Sequence, residues 1–177
     1  MPRAFLLVGL TALLGACSFT TPPVDTPQVV KTFTLGDLWP SAPETTLIPV
    51  AVPVDLPPYN VAEAEGGIAI DVPAQARAAN ITSAVLHIGL RSQMKIGLAF
   101  KFFLAREKPY ASVALAETTV QPGETKQVDA AFDTSLLKNE KVYAGVQAQV
   151  QKSDPAVVKK SDPLTTTTWA TVQIKLF

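Results

Sequence analysis

The chain has 177 residues, 47% of them hydrophobic, and its fifteen lysines and arginines balance fifteen aspartates and glutamates. One cysteine and one histidine are too few for a zinc or copper site or for an internal disulfide. The sequence also lacks a concentrated basic patch and the glycine-rich phosphate-binding motifs, so it predicts neither nucleic-acid binding nor a nucleotide cofactor.

The amino terminus has the pattern of an export signal. Arg3 precedes an apolar run over residues 4–14, which is much shorter than the roughly 18 residues of a membrane-spanning helix. The run ends in Leu14-Gly15-Ala16-Cys17, which resembles the lipobox of bacterial lipoproteins. The resemblance implies removal of residues 1–16, a diacylglycerol on the Cys17 sulfur and acylation of the new amino terminus. The alternative is an ordinary secretory signal in which Cys17 is incidental or buried.

The expected anchor also predicts a location. One myristoyl-length chain binds a bilayer only marginally, whereas two or more hold a protein there stably. Inner-membrane lipoproteins often carry aspartate at the position of Ser18, so the resemblance implies an outer-membrane position facing the periplasm. The polar, proline-bearing residues 17–28 are then a flexible tether, and residues 29–177 are a single domain.

Acidic and basic residues are unevenly distributed along the chain. Residues 18–88 contain seven acids and two bases, whereas residues 89–177 contain eight acids and twelve bases. A basic half suits anionic lipid or an acidic partner. Its lysines are scattered over predicted strands, however, and that pattern favours ordinary solvated faces.

Period-2 alternation predicts strands in the first half of the domain. The alternation is weak over 29–35 and strong over 48–56, where interspersed prolines indicate an edge strand. A capping-box pattern at 60–63 is stopped by Gly66-Gly67 after about one helical turn. Residues 67–72 are the next predicted strand, and the alanine-rich segment 73–80 is a loop or a short helix.

The second half alternates more clearly. Segments 82–91 and 95–105 predict a central hairpin across Ser92-Gln93-Met94. Segment 110–120 is a predicted strand with Val113 and Leu115 inward, and Gln121-Pro122-Gly123-Glu124 is a type II turn. The side chains expected to face inward from the hairpin are Ala84, Leu86, Ile88, Leu90, Ile96, Leu98, Phe100, Phe102 and Leu104.

The remaining elements alternate in the same way. Predicted strands cover 125–132, 142–151 and the carboxy-terminal segment, where Ala170, Val172, Ile174 and Leu176 share one face. One helical turn is expected after Asp133. The sequence Lys-Ser-Asp-Pro occurs at 152–155 and again at 160–163, which indicates two turns bounding a loop.

These elements predict an all-β fold, an antiparallel β-sandwich of about seven to nine strands. The proline-glycine turn and the strand spacing resemble immunoglobulin-like or fibronectin-like modules. The Cys and Trp core of true immunoglobulin domains is missing.

Residues suited to catalysis are scarce. A serine or cysteine nucleophile needs a base, and His87 is predicted on the outer face of a strand, where a structural or surface role is favoured. The acids are dispersed, with Glu63 and Glu65 the closest pair, which favours neither calcium binding nor glycoside hydrolysis. We therefore expect no enzyme, no catalytic residues, no metal and no cofactor.

The leading hypothesis is a lipid-anchored accessory protein that binds another protein of the cell envelope. Edge strands and exposed aromatic side chains would form its contact surface. The candidate aromatic residues are Trp39, Tyr59, Phe103 and Trp169. The alternative for these four side chains is that most of them cover sheet edges or loops.

Two other functions stay open. A carrier of a small apolar ligand predicts a cavity lined by Leu86, Ile88, Phe100 and Phe102 instead of a filled core. An enzyme that uses carboxylates alone requires at least two acids that converge in one cleft.

Overall fold

The computed structural model describes residues 19–48, 54–55, 67–151 and 155–176. The expected signal peptide, Cys17, Tyr59 and the capping-box pattern at 60–63 lie outside these residues. Most of the predicted edge strand over 48–56 also lies outside them, although Val54–Asp55 is described and is a strand.

The first sheet has four strand positions. Across the sheet, an outer edge position is followed by β12, β6 and β9. Its central strands are β6 (Ile81–Ser92) and β12 (Pro163–Ile174), and β9 (Thr125–Ala131) closes one side. The edge position is shared by β1 (Val24–Asp25) and β2 (Val29–Thr34), which pair in succession with β12. All of these pairs are antiparallel.

The second sheet has the same arrangement, in which an outer edge position is followed by β10, β7 and β8. Its strands β7 (Leu98–Ala105), β8 (Ala116–Val120) and β10 (Lys141–Val150) pair antiparallel. The edge position is shared by β4 (Val54–Asp55) and β5 (Ile68–Asp71), which both pair with β10. The described residues thus confirm the expected antiparallel sandwich.

The strand pairs are nested along the chain. β7 pairs with β8, β6 with β9, β5 with β10, and β2 with β12. This is one long hairpin rolled up on itself, the connectivity of a jelly roll. The likeness to immunoglobulin-like modules therefore extends to the sandwich architecture and not to the strand order.

Short elements close the end of the sandwich where β12 begins. Helix α1 (Leu35–Leu38) starts at Thr34 with a capping box to Asp37 and buries Leu35 and Leu38. A separate two-stranded sheet consists of β3 (Thr45–Ile48), which follows α1 in the chain, and β11 (Ala156–Lys159). The opposite end carries α2 (Ala74–Ala78) and a 3-10 helix over Thr134–Lys138.

The tightest packing lies near α1. Several side chains there are completely or almost completely buried, because both sheets and the helix cover them. They are Leu35, Leu90, Met94, Ile96, Leu98, Val120, Val150, Val158 and Leu164. The inward faces predicted for β6 and β7 are confirmed.

The predicted hairpin of β6 and β7 is wrong. β6 pairs with β12 and β9, whereas β7 pairs with β10 and β8, so the two strands face each other across the core. Met94 and Ile96 in the connection are both buried, so the link runs through the packed end of the sandwich. Alternation identifies which face of a strand is apolar and does not identify the strand's partner.

The predicted strand over 110–120 begins only at Ala116. Lys108 has a φ of +45° and leads into a 3-10 helix over Pro109–Ala111, so the chain turns before it extends again. Val113, expected inside, is 91% exposed. The predicted turn at 121–124 is confirmed as type II, since Gly123 has a φ of +72° and the Glu124 N–H donates to the Gln121 carbonyl at 3.0 Å.

The predicted loop between the two Lys-Ser-Asp-Pro segments contains strand β11 instead. Val158 in this strand is fully buried and belongs to the same core cluster as Leu35 and Leu38 of α1, so its burial stabilises the extended conformation. The second segment does form the expected turn, in which the Lys159 N–H donates to the Asp162 carboxylate at 2.9 Å. Residues 152–154 of the first segment lie outside the described part of the chain.

Residues 19–28 are not a tether but line the outer edge of β12. Thr20 bridges to Lys175, and β1 pairs with Val172 and Thr171. The hydroxyl oxygens of Thr21 and Thr26 accept backbone N–H groups of β12. Prolines are tolerated here because their missing donors are not needed at a sheet edge.

Candidate functional site

A cavity of about 490 Å³ lies between the two sheets. Leu86, Ile88, Phe100 and Phe102 all line it, as a carrier of an apolar ligand would require. Twenty of the 23 described lining residues are apolar or glycine. The volume falls within the range of about 300–1,000 Å³ that is typical of small-molecule sites.

The central strands supply the closed wall of the cavity. Ile88 on β6 faces the second sheet, and Phe100 and Phe102 on β7 face the first, because inward residues alternate with outward ones along each strand. The rings of Phe100 and Phe102 stack with centroids 6.0 Å apart. Phe100 is only 2% exposed, so this wall is shielded from water.

Small side chains leave the space unfilled. The inward positions of β12 carry Thr166 and Thr168, and β10 contributes Ala144 between Val142 and Val146. Larger residues at these positions would fill the gap between sheets that pack about 10 Å apart. Leu86 and Leu104 are accordingly only partly buried, although both point inward.

The cavity opens between the edge strands β2 and β5. Val29 on β2 is 62% exposed, and Ile68 and Ile70 on β5 are 39% and 47% exposed, although all three line the cavity. Apolar side chains on the inner face of a sandwich are normally covered, so this exposed row marks an entrance. The entrance runs along the side of the sandwich.

Three of the described side chains that line the cavity are polar, and all three are on the first sheet. Lys31 on β2 lies directly opposite Thr166 on β12, and Thr168 is opposite Val29. The Thr166 hydroxyl donates to the Lys31 carbonyl at 3.3 Å. The Lys31 ammonium lies 4.9 Å from the centre of the Phe33 ring, a cation–π contact. None of the described lining residues is acidic.

A polar network crosses the opposite, outer face of the first sheet. His87 Nδ1 is 2.7 Å from an Asp129 oxygen, and His87 Nε2 is 2.7 Å from the Thr171 hydroxyl. The Thr171 hydroxyl donates to Asp25 at 2.5 Å. Gln127 donates to Asp129 at 2.9 Å, and this bond, followed by the one from His87, lowers the pKa of Asp129 below its ordinary value.

This network links the strands of the first sheet. Thr171 on β12 donates its proton to Asp25 on β1, and His87 on β6 contacts both Thr171 and Asp129 on β9. His87 lies on the outer face as expected, and its contacts are those of a structural residue that joins four strands.

The described aromatic candidates do not share one surface. Phe103 is only 7% exposed, so its predicted exposure is wrong: Tyr110 from the 3-10 helix packs edge-on against it with ring centroids 5.6 Å apart. Trp169 stacks on His87 on the outer face of the first sheet. Trp39 is half-buried and packs against the core beside α1. Tyr59 lies outside the described residues.

The sequence analysis does not predict the polar corner of the cavity, which consists of Lys31, Thr166 and Thr168. The run Thr165 to Thr168 was assigned to a strand, and Thr166 and Thr168 are in phase with the apolar Ala170 and Val172. Two hydroxyls on an otherwise apolar face are the signal that identifies this corner. Lys31 alternates in phase with Val29 and Phe33 in the sequence, and only the tertiary structure shows that β2 lies at the edge of the sheet and that Lys31 lines the cavity.

The described part of the chain contains no group of three or more histidine, cysteine, aspartate or glutamate residues that could hold a metal. No helix among the described residues is long and apolar enough to cross a bilayer.

Comparison with known proteins identifies no family. No protein-family model matches the chain, and no curated protein does. Among solved structures, a protein from Parabacteroides distasonis that is described as secreted has 10% identity and a TM-score of 0.42, over 67% of this chain and 36% of that protein. The Tobacco streak virus coat protein has 12% identity and a TM-score of 0.35, over 85% and 88% of the two chains.

A pilus protein of Bacillus endospore appendages is similar at 10% identity and a TM-score of 0.29, over 92% of this chain and 97% of that protein. The chain therefore spans about a third of the length of the Parabacteroides distasonis protein and most of the length of the coat protein and the pilus protein. Likenesses at these TM-scores carry no inference about function.

Proposed function

We propose that this protein is a lipid-anchored, non-enzymatic carrier that holds a small apolar ligand between its sheets. The observation that supports the proposal is the cavity of about 490 Å³ with an apolar wall and an exposed apolar entrance. A domain of this size normally fills its core at the density of an organic crystal, and empty apolar volume costs stability. A ligand of matching shape would recover the lost contacts.

The accessory-protein hypothesis has less support from the described residues. It requires exposed aromatic side chains on a common surface, and Phe103, Trp169 and Trp39 are buried or half-buried in separate places. The carboxylate-only enzyme requires acids that converge in a cleft. The described lining of the cavity contains none.

The proposed anchor is Cys17, with an outer-membrane position facing the periplasm. Only Ser18 separates Cys17 from Phe19, whose carbonyl accepts the Leu176 N–H at 2.8 Å. Two extended residues span at most about 7 Å. Acylation of Cys17 would therefore hold this end of the sandwich directly at the bilayer. Phe19 and Leu176 are both exposed there.

Ligand binding is tested by native mass spectrometry of protein extracted gently from membranes. We expect a bound apolar molecule on the wild type. Ala144→Leu fills the cavity and should abolish retention, whereas Ala131→Leu adds the same atoms at an exposed position of β9 and should not. Retention by both variants, or failure of the wild type to bind any apolar probe, would contradict the carrier function.

The anchor is tested separately. Intact-mass analysis should show a chain that begins at Cys17 and carries acyl groups, and Cys17→Ala should release the protein from the membrane fraction. A bare thiol on a chain that still contains residues 1–16 would contradict the anchor without affecting the cavity.

A further inference from the structure

We propose that the sandwich lies on the bilayer along the side that carries β1, β2 and β5, so that the entrance of the cavity opens into the lipid. This inference rests on the proposed anchor and carrier function. It adds the surface that contacts the membrane and the route by which the ligand enters. It follows from a row of exposed apolar side chains that begins next to the anchor.

The row starts beside the proposed anchor. Phe19 follows Cys17 by two residues, and its carbonyl accepts the Leu176 N–H. Both Phe19 and Leu176 have exposed side chains. Acyl chains on Cys17 would place these two apolar side chains at the membrane surface, because two extended residues span at most about 7 Å.

The row continues along the edge of the first sheet. Val24 lies opposite Val172 and Val29 lies opposite Thr168, and both edge valines are more than half exposed. Residues directly opposite in an antiparallel pair share a face, so both valines are on the face of the sheet that lines the cavity. Thr168 precedes Leu176 by eight residues, which corresponds to roughly 26 Å of extended chain. The row thus extends well beyond the anchored end.

The second sheet continues the same surface. Ile68 and Ile70 on β5 line the cavity at the other side of its entrance and are exposed. A molecule that stands upright on its anchor would leave the whole row in water, whereas a molecule that lies on this side would cover the row with lipid. Exposed apolar surface of this extent marks an interaction site, and the bilayer is the partner that the anchor brings within reach.

The edge segment suits contact with lipid head groups. Pro22, Pro23 and Pro27 have no backbone N–H, so fewer donors lose water as this edge approaches the membrane. Asp25 lies opposite Thr171, on the outer face of the sheet, where its carboxylate accepts the Thr171 hydroxyl proton. Its charge therefore points away from the apolar row. An apolar ligand could then pass between the bilayer and the cavity without crossing water.

The test measures the depth of single labelled positions on the acylated protein in phosphatidylcholine vesicles. Acylation occupies the Cys17 thiol, so an introduced cysteine is the only thiol left for an NBD fluorophore. Val29→Cys and Ile68→Cys label the row, and Phe19→Cys labels the anchored end. Thr125→Cys is the control, because it is exposed on β9, at the opposite edge of the first sheet.

Quenching by lipid that carries a spin label on its acyl chain reports contact with the bilayer. We expect at least about twofold stronger quenching at positions 19, 29 and 68 than at position 125, since apolar side chains at an interface reach the boundary between head groups and acyl chains. A second pair of variants excludes an effect of the label. Adding Val29→Asp to the Ile68→Cys protein should lower its quenching, whereas adding Thr125→Asp should not.

Each contrary outcome has a distinct meaning. Acylated protein that is quenched at position 19 alone, or at none of the four positions, would overturn the proposed orientation and leave the carrier function intact. Labels at positions 29 and 68 that are shielded from aqueous iodide but not quenched by the lipid would show that a second copy covers the row, which would also overturn it. A bare Cys17 thiol in the intact mass would overturn the anchor itself.

Discussion

The rings of His87 and Trp169 stack with their centroids 4.8 Å apart and their planes 17° from parallel. The two residues lie directly opposite each other on β6 and β12, the central strands of the first sheet. Both rings are on the outer face, away from the cavity, because the inward positions of β12 are the even-numbered ones. The stack therefore stabilises the sheet without contacting the ligand site.

Removing this stack should weaken the fold and spare ligand binding. We expect Trp169→Leu to lower the free energy of unfolding by about 1–2 kcal/mol, since aromatic pairs contribute about 0.5–1.5 kcal/mol beyond the area they bury. Urea unfolding measures the loss, with the exposed Val113→Ala as a control expected to change stability by less than about 0.5 kcal/mol. Equal stability of the two variants would show that the stack contributes nothing.

Stability should fall in acid partly because of Asp129. Hydrogen bonds from Gln127 and then His87 lower the pKa of Asp129 below the ordinary value of 3.8. The unfolded chain therefore binds a proton more readily, and the stabilisation is present above pH 3.8 and lost as the pH falls through the lower native pKa. Unfolding midpoints measured from pH 7 to pH 2 should show a shallower acid decline in Asp129→Asn. An unchanged decline would contradict this contribution.

Two leucines on the inner face of β7 should differ in their importance. Leu98 is fully buried in the packed end of the sandwich, so Leu98→Ala should cost about 2–5 kcal/mol. Leu104 borders the cavity and is only partly buried, so Leu104→Ala should cost about 1 kcal/mol in the ligand-free protein. Chemical denaturation of both variants checks the difference. Similar costs would mean that the cavity is closed in solution.

The pairing of residues 19–28 with β12 should be visible in amide exchange. The Ala170 N–H donates to the Thr26 hydroxyl oxygen at 2.9 Å, and the Ile174 N–H donates to Thr21 at 3.0 Å. Thr26→Val should accelerate exchange at Ala170 only, and Thr21→Val at Ile174 only. Fast exchange at both amides in the wild type would show instead that this segment is detached.

The orientation of the inward residues was predictable because it is a local property. Successive side chains of an extended strand point to opposite faces, so alternation alone assigned Leu86, Ile88, Phe100 and Phe102 to one interior. The same rule placed Phe103 on the outer face, where Tyr110 covers it. That contact depends on how the chain turns at Lys108, whose positive φ the alternation does not encode.

Strand partners were not predictable in the same way. β2 pairs with β12 and β5 with β10, so the edge positions of both sheets are set by residues far away in the chain. The expected hairpin of β6 and β7 failed because two neighbouring amphipathic strands can pair side by side or face each other across a core. The second arrangement buries both apolar faces at once.

The sequence by itself determined the all-β class, the inward faces and the type II turn at Gly123, because each depends on residues close together in the chain. Only the tertiary structure decided the nested pairing, the attachment of residues 19–28 to β12 and the cavity with Lys31 at its entrance. Whether two apolar faces fill the space between them depends on the distance between sheets and on the side chains opposite, and no single strand contains that information.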